Sequence, residues 1–414
     1  MSFWSKDNVI QVHCELSTFC NAACPKCPRY IEGTKVLRPG LELEQITLEK
    51  FKKYFDVDFI KQSTQWLFCG THGDPMMAKD AIDIVEYLYS INKDIKVRIH
   101  TNGGMRNEKD WRRLGEMSKN TIEDDNGFLI TFSIDGLEDT NHLYRRNVDW
   151  NTLMRNVKAY IDAGGKALWD YLVFKHNQHQ IEDAKILAKE LGFMEFLPKR
   201  ALGFEYNGTV KDVPVWDEDG TYTHTLEAPT ILEYTNFTPE QIKDVRKMST
   251  ESHVTFYKKN RDELKEYHLE GVNQWDGKHW DGKEIDYSVY NCKEIKCKSK
   301  ILSMYQGKGI TGTEIFVTAG GILMPCCYIG TQLDVTYRTV EVHQLQKKIK
   351  DHGLDKFDLN NRSIFEILES GDLNELFAKS WDKQDNDRVM YCAYTCGENN
   401  PIDRLWAEGR QKYY

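Results

Sequence analysis

Between residues 9 and 198 the chain alternates short runs of β-branched, aliphatic and aromatic residues with longer stretches of helical periodicity. The short runs predict six strands, at Val9–Glu15, Gln65–Cys69, Lys96–Thr101, Phe128–Ile134, Ala167–Phe174 and Met194–Leu197. The periodic stretches predict helices near Thr47–Phe55, Ala78–Ile91, Glu108–Ser118, Asn151–Ala163 and His179–Leu191. Start and stop signals agree: Thr47 precedes Glu49, and Gly164, Gly165 and Gly192 follow periodic runs. Six strand–helix units predict an α/β fold, either a partial barrel or an open parallel sheet. Both architectures bind ligands at the carboxyl ends of their strands.

Beyond Ala201 the periodicity fades into polar, aromatic and Asp/Gly-rich sequence such as Trp275 to Gly282. This stretch reads as an insertion that shapes substrate access or as a covering linker, with one helix near Pro239–Met248. A hairpin signal then appears, with Glu314–Thr318 and Ile322–Met324 flanking Ala319-Gly320-Gly321. Helical sequence follows at Ser363–Ser370 and Leu373–Ser380, then a cysteine pair and a short final helix. The expected organisation is a domain at 1–200, an insertion at 201–290 and a small α+β domain at 291–414.

The 414 residues leave room for two or three domains, and no apolar run is long enough to span a membrane. The first residues lack a basic segment followed by an apolar one, so a cytoplasmic location is the expectation. With 55 basic against 64 acidic residues the net charge is −9, which argues against broad binding to nucleic acid or anionic lipid. Cysteine changes the picture most. There are eleven, clustered rather than spread. In a reducing compartment that clustering points to metal ligation more than to disulfides.

Cys20, Cys24 and Cys27 form C-x3-C-x2-C just after the first predicted strand. A structural zinc site wants four ligands, and no fourth His or Cys lies at suitable local spacing. Three thiolates suit a 4Fe-4S cluster with one iron open to a ligand. At this point the sequence resembles the radical S-adenosylmethionine (SAM) superfamily, whose three-cysteine loop follows the first strand of a partial (β/α)6 TIM-like barrel. The resemblance implies that the open iron takes the amino and carboxylate groups of SAM. It further implies reductive cleavage of SAM to a 5'-deoxyadenosyl radical, which takes a substrate hydrogen atom.

Four further segments resemble that family's SAM-binding motifs. Gly70-Thr71-His72-Gly73-Asp74-Pro75 resembles Gly-Gly-Glu-Pro, with Asp74 where Glu is usual, so backbone carbonyls and Asp74 together would meet the SAM amino group. Thr101-Asn102-Gly103-Gly104 resembles the Thr-Asn-Gly turn, and Ser133-Ile134-Asp135-Gly136 the motif near the ribose and carboxylate. Arg145 matches the arginine that pairs with the SAM carboxylate, a task suited to its forked donors. Lys26 departs from the pattern, because an aromatic residue commonly stands there against the adenine. His72, His100, His176, Asn177 and His179 fall near the same strand ends; structural roles, such as helix capping by Asn177, are the plainer reading.

The hairpin carries Cys326 and Cys327, with Cys297 upstream and Cys392 and Cys396 downstream. This spacing resembles the auxiliary-cluster domains called SPASM and twitch. Six cysteines, counting Cys292, suit a twitch-like domain with one auxiliary 4Fe-4S cluster, and Cys297, Cys326, Cys392 and Cys396 are the expected ligands. Cys292 and Cys327 are rivals, Cys327 also being a candidate hydrogen donor, and a four-thiolate zinc site is the competing reading. Cys14 and Cys69 are expected as core thiols inside strands. The resemblance implies a peptide or protein substrate, or else a carbohydrate or other small-molecule alcohol, and a flavodoxin or ferredoxin as electron donor. A noncatalytic metal-binding scaffold is the alternative of another class.

Overall fold

The computed structural model describes residues 2–397 apart from 122–126, 207–208, 275–277, 279–283, 285–293, 306–307, 334–338 and 384–386. The chain divides into two compact units: residues 1–15, 46–67 and 262–414 form one, and residues 16–45 and 68–261 the other. All six expected strands are present, as β1 (Val9–Cys14), β2 (Gln65–Phe68), β3 (Lys96–Thr101), β4 (Phe128–Ser133), β5 (Lys166–Val173) and β6 (Glu195–Arg200). The helices among them are α1 (Leu48–Tyr54), α2 (Val57–Gln62), α3 (Ala81–Ile91), α4 (Glu108–Lys119), α5 (Asn141–Tyr144), α6 (Trp150–Asp162) and α7 (Ile181–Leu191). This strand–helix alternation is the α/β fold of a partial TIM-like barrel.

In the second unit β3, β4, β5 and β6 run parallel, with Ile99 opposite Ile130, Ile130 opposite Ala167 and Trp169 opposite Phe196. A parallel sheet covered on both faces needs apolar residues at successive positions. Strand β4 meets that demand, with Phe128 to Phe132 all buried. Helix α4 starts where the Asn107 side chain accepts from the Asp110 amide, and its buried face carries Trp111 and Leu114. Gly115 lets α4 approach α6, since a Cβ there would lie 2.3 Å from the Tyr160 carbonyl oxygen. The Trp111 ring meets Phe132 at 5.3 Å and Tyr160 at 6.4 Å, and its indole donates to the Met105 carbonyl. Helix α7 ends at Gly192, whose φ of +88° is the left-handed stop expected there.

The insertion holds more structure than the sequence suggested. Antiparallel pairs join Val213–Trp216 to Tyr222–Leu226 and Glu205–Tyr206 to Thr209–Val210, and a short helix at Pro239–Lys243 has a full capping box from Thr238.

In the first unit β1 pairs in parallel with the strand Lys308–Val317. That strand pairs on its other side with Lys300–Tyr305, an element the sequence pattern did not single out. The expected hairpin is there, with Phe316 opposite Met324 and Val317 opposite Leu323. The expected cysteine pair lies on helix Met390–Cys396, and helix Val340–His352 packs beside it through Gln344, which accepts from the Met390 amide. The final helix expected after Cys396 falls outside the described residues from 398 on. Cys14 is a buried strand thiol as expected, whereas Cys69 lies one residue past β2 and is half-buried.

Trp111→Ala should cost about 3–5 kcal/mol of unfolding free energy, since it empties a fully buried indole site between α4 and α6. Urea unfolding followed by circular dichroism reads it.

Candidate active site

Every residue of the motifs after β2, β3 and β4 lies in the second unit, together with the loop that bears Cys20, Cys24 and Cys27. The three thiols act on one another electrostatically. Burial is the main cause pushing both Cys20 and Cys24 up, Cys24 to about 12, with Cys27 adding to each. Buried thiols held protonated in this way release protons when they take a metal. Among the described residues no trio of His, Cys, Asp or Glu is preset for a metal ion.

Two motif side chains reach those sulfurs. The Asn102 side-chain amide lies 3.7 Å from the Cys20 sulfur and donates to Asn21 at 2.9 Å. The Arg145 Nη1 lies 3.7 Å from the Cys24 sulfur, while its Nε donates to Asp135 Oδ2 at 2.5 Å. Asp135 is fully buried and its other oxygen accepts from the Leu172 amide at 2.6 Å. Burial pushes the Asp135 carboxyl up and Arg145 pulls it back. The guanidinium stays charged beside it, for although burial is the largest influence and opposes charge, the Arg145 pKa is raised by Asp135 and the neighbouring Cys24.

Asp74 faces inward. Its carboxylate accepts from the Thr101 hydroxyl at 2.9 Å, the Asn102 amide at 2.8 Å and the Met76 amide at 3.0 Å. It therefore clasps the loop after β2 to the end of β3 and caps the turn at Pro75–Met77. Gly73 is required by close approach: a Cβ there would lie 1.8 Å from the Ser17 carbonyl oxygen. Pro75 is buried, and Ser133 is the half-buried last residue of β4.

Asn177 does not cap with its side chain. Its amide instead donates to the carbonyls of Asp135 and Leu172 and its oxygen accepts from the Phe174 amide, stitching the end of β5 to the motif after β4. His176 stacks on Phe174 at 5.4 Å, and burial pushes its pKa down to about 4. His179 is exposed and His100 half-buried.

Three residues matter more than their sequence context suggested. Arg29, buried just past Cys27, donates to the Thr18 carbonyl and to the His72 carbonyl at 2.9 Å, tying the cysteine loop to the loop after β2. Asn21 holds Asn102. Lys26 donates to Gly203 and Glu32 and lies 4.9 Å from the Phe204 ring centroid, so the insertion supplies an aromatic ring at the position where the loop itself carries a lysine.

Residues 14–188 match the family model described as the radical SAM superfamily. That segment is similar to a radical SAM domain. No curated protein sequence matches the chain. Among solved structures, Streptococcus suis SuiB bound to S-adenosylmethionine shares 12% identity, with 78% of this chain and 61% of that chain covered and a TM-score of 0.41. The chain thus spans about 61% of that SuiB chain. Tagged anSMEcpe with bound AdoMet shares 14% identity over 91% of this chain and 81% of that one, TM-score 0.45. Native anSMEcpe with AdoMet and the Cp18Cys peptide shares 15% over 89% and 82%, TM-score 0.43.

In the first unit, a small cavity partly open to solvent is lined by Cys297, Cys326, Cys392 and Cys396 together with aromatic side chains. Three cysteine-bearing segments are tied around it. The Lys296 amide donates to the Cys396 carbonyl at 3.0 Å, and the Ser299 hydroxyl donates to the Pro325 carbonyl at 2.6 Å. Burial pushes the Cys297 thiol up to about 12 and raises Cys326 and Cys392 as well, with the neighbouring thiols adding to each. Cys327 opens a short helix, half-buried, and is not among the lining residues; Cys292 lies outside the described residues. Four thiols around one cavity are a donor set that fits an iron–sulfur or a zinc centre. Among the described residues no helix is long and apolar enough to cross a membrane.

His72 supplies a pH test. It is 4% exposed, and burial, with the Arg38 and Arg29 charges, lowers its pKa from 6.5 to about 4. The unfolded chain takes up a proton below 6.5 that the folded chain refuses until about 4. Stability contributed at neutral pH should therefore fall as pH drops through that window, by up to about 3 kcal/mol. His72→Gln should flatten this part of the profile in urea melts taken from pH 7 to pH 4. Asp135→Asn should cost about 3–5 kcal/mol in the same assay, because it leaves Arg145 without its buried counter-charge.

Proposed function

We propose that the chain is an enzyme that cleaves SAM reductively and takes a hydrogen atom from a peptide or protein substrate. The observation that carries this reading is the convergence of Arg145 on Cys24 and Asn102 on Cys20, which brings two SAM-motif side chains onto the sulfurs of the cysteine loop. Cys20, Cys24 and Cys27 would hold a 4Fe-4S cluster, and the four thiols of the first unit a second, auxiliary one. When bound, the first cluster and SAM together supply a 5'-deoxyadenosyl radical, the species that abstracts hydrogen.

The chain's own residues bind and orient. Arg145 gives Nε to Asp135 and directs Nη1 toward Cys24, and its remaining donors on Nη2 would hold the SAM carboxylate. Asp74 acts as scaffold, since its oxygens are already met by Thr101, Asn102 and Met76. The backbone carbonyls of the loop 70–73 would then meet the SAM amino group. Asp135 keeps the guanidinium charged and aimed, so little reorganisation would be needed when a carboxylate binds. Lys26, held by Gly203 and Glu32 and capped by Phe204, closes the cysteine loop on the side of the insertion, and that closure helps keep solvent from a radical. The peptide assignment rests on the resemblance of the cysteine spacing to auxiliary-cluster enzymes that modify peptides.

The test is anaerobic reconstitution followed by iron, sulfide and 5'-deoxyadenosine assays. About eight irons per chain and SAM cleavage support both clusters. About four irons make the cavity of the first unit a zinc or packing site; near zero iron, with no SAM cleavage, leaves a scaffold. Arg145→Lys should retain the iron and weaken SAM binding about 10–100-fold. Deuterium passing from a labelled peptide, and not from a labelled polyol, into 5'-deoxyadenosine would support the substrate class; the reverse result would make the chain an alcohol dehydrogenase.

A further inference from the structure

Two indoles reach the cavity of the first unit. Trp4 and Trp381 both line it, and their rings meet Phe3 and each other edge-on, with centroids at 4.5 Å for Phe3–Trp4, 4.8 Å for Phe3–Trp381 and 5.7 Å for Trp4–Trp381. Their N–H groups are in different situations. Trp4 Nε1 donates to the Glu314 carbonyl at 3.2 Å. Trp381 Nε1 is buried and makes no hydrogen bond.

An unmet buried N–H costs about 1–3 kcal/mol, so its place beside four thiols needs an account. Nothing strands it by accident of a loose loop: the Arg388 guanidinium grips the Trp381 carbonyl at 2.5 Å, and the ring packs with Cys392 against Ile295, Ala393 and Cys396. Of the four thiols, Cys392 lines the same cavity as the ring and packs with it against the same small apolar cluster. A neutral thiol is a weak acceptor, and a metal-bound thiolate is a strong one. The missing partner is therefore a group that becomes an acceptor only when the centre is assembled.

We infer that Trp381 is a positioning residue for the metal centre of the first unit, its indole N–H donating to the metal-bound sulfur of Cys392. The inference rests on the reading that these thiolates hold an iron–sulfur centre. Hydrogen bonds to the sulfurs of such a centre withdraw electron density and favour its reduced state. Trp4, whose N–H is already taken, has the same ring chemistry without that effect.

The experiment compares the wild type with Trp381→Phe and Trp4→Phe in the full chain after anaerobic reconstitution. It reads iron per chain and the midpoint potential of the auxiliary centre in a redox titration followed by electron paramagnetic resonance. Trp381→Phe is expected to keep its iron and move to a more negative potential. At a fixed potential its reduced-to-oxidised ratio should fall about tenfold, which for one electron is about 59 mV. Trp4→Phe should leave the potential in place. Full iron with an unshifted potential in Trp381→Phe, or an equal shift in both variants, overturns the inference. Should Trp381→Phe lose its iron, the deciding measurement is pulsed resonance on Trp4→Phe labelled with 15N-indole: a nitrogen coupling to the reduced centre supports the inference and its absence overturns it. A wild type with only about four irons removes the iron–sulfur reading of the cavity itself, and the inference with it.

Discussion

One guanidinium held against a fully buried carboxylate organises the site in this chain. Arg145 needs Asp135, and Asp135 is itself fully enclosed at the end of β4, with its other oxygen spent on the Leu172 amide of β5. Two parallel strands and the loop after them are thereby committed to one charge pair. Removing charges from water is costly and their attraction returns that cost only in good geometry, so such a pair adds more to specificity than to net stability. The geometry it specifies is the direction of Nη1, toward the sulfur of Cys24.

The neighbouring motifs use the same economy of buried polar groups. Asp74 turns its carboxylate into the protein to hold Thr101 and Asn102, and Asn102 is then free to reach Asn21 and Cys20. Arg29 ties the cysteine loop to His72 from the other side. Each loop that follows a strand is fixed through a loop that follows a different strand. The cysteine loop, with no regular structure of its own, takes its shape from these cross-ties.

Much of this was legible in the sequence because it is written locally. The Thr47 hydroxyl accepts from the Lys50 amide, the glycine at 192 stops α7, and the strand runs carry their apolar pattern in a few consecutive residues. The three-cysteine spacing and the turn motifs lie within short windows too. What escaped were partnerships over long separations. That Asn177 serves as a staple between strands depends on Asp135, 42 positions away, and no property of its own segment distinguishes that role from capping. The insertion's strands are two to five residues long, too short for a period of two to stand out. Helix Val340–His352 buries Val342, Leu345 and Ile349, but a lysine-rich outer face and two glutamines dilute that stripe. Which cysteines surround the cavity was open in sequence because the segments around 297, 326 and 392 meet only through tertiary ties.

Cys392 and Cys396 stand four residues apart on one short helix, and so on one face of it, a turn apart. The last turn of a helix is ordinarily its weakest part, with carbonyls that lack partners inside the helix. Here that turn carries Cys396, one turn beyond Cys392, and is pinned by the Lys296 amide at the Cys396 carbonyl. Fraying and loss of the lining are then a single event: the end of the helix cannot open without carrying Cys396 away from the cavity.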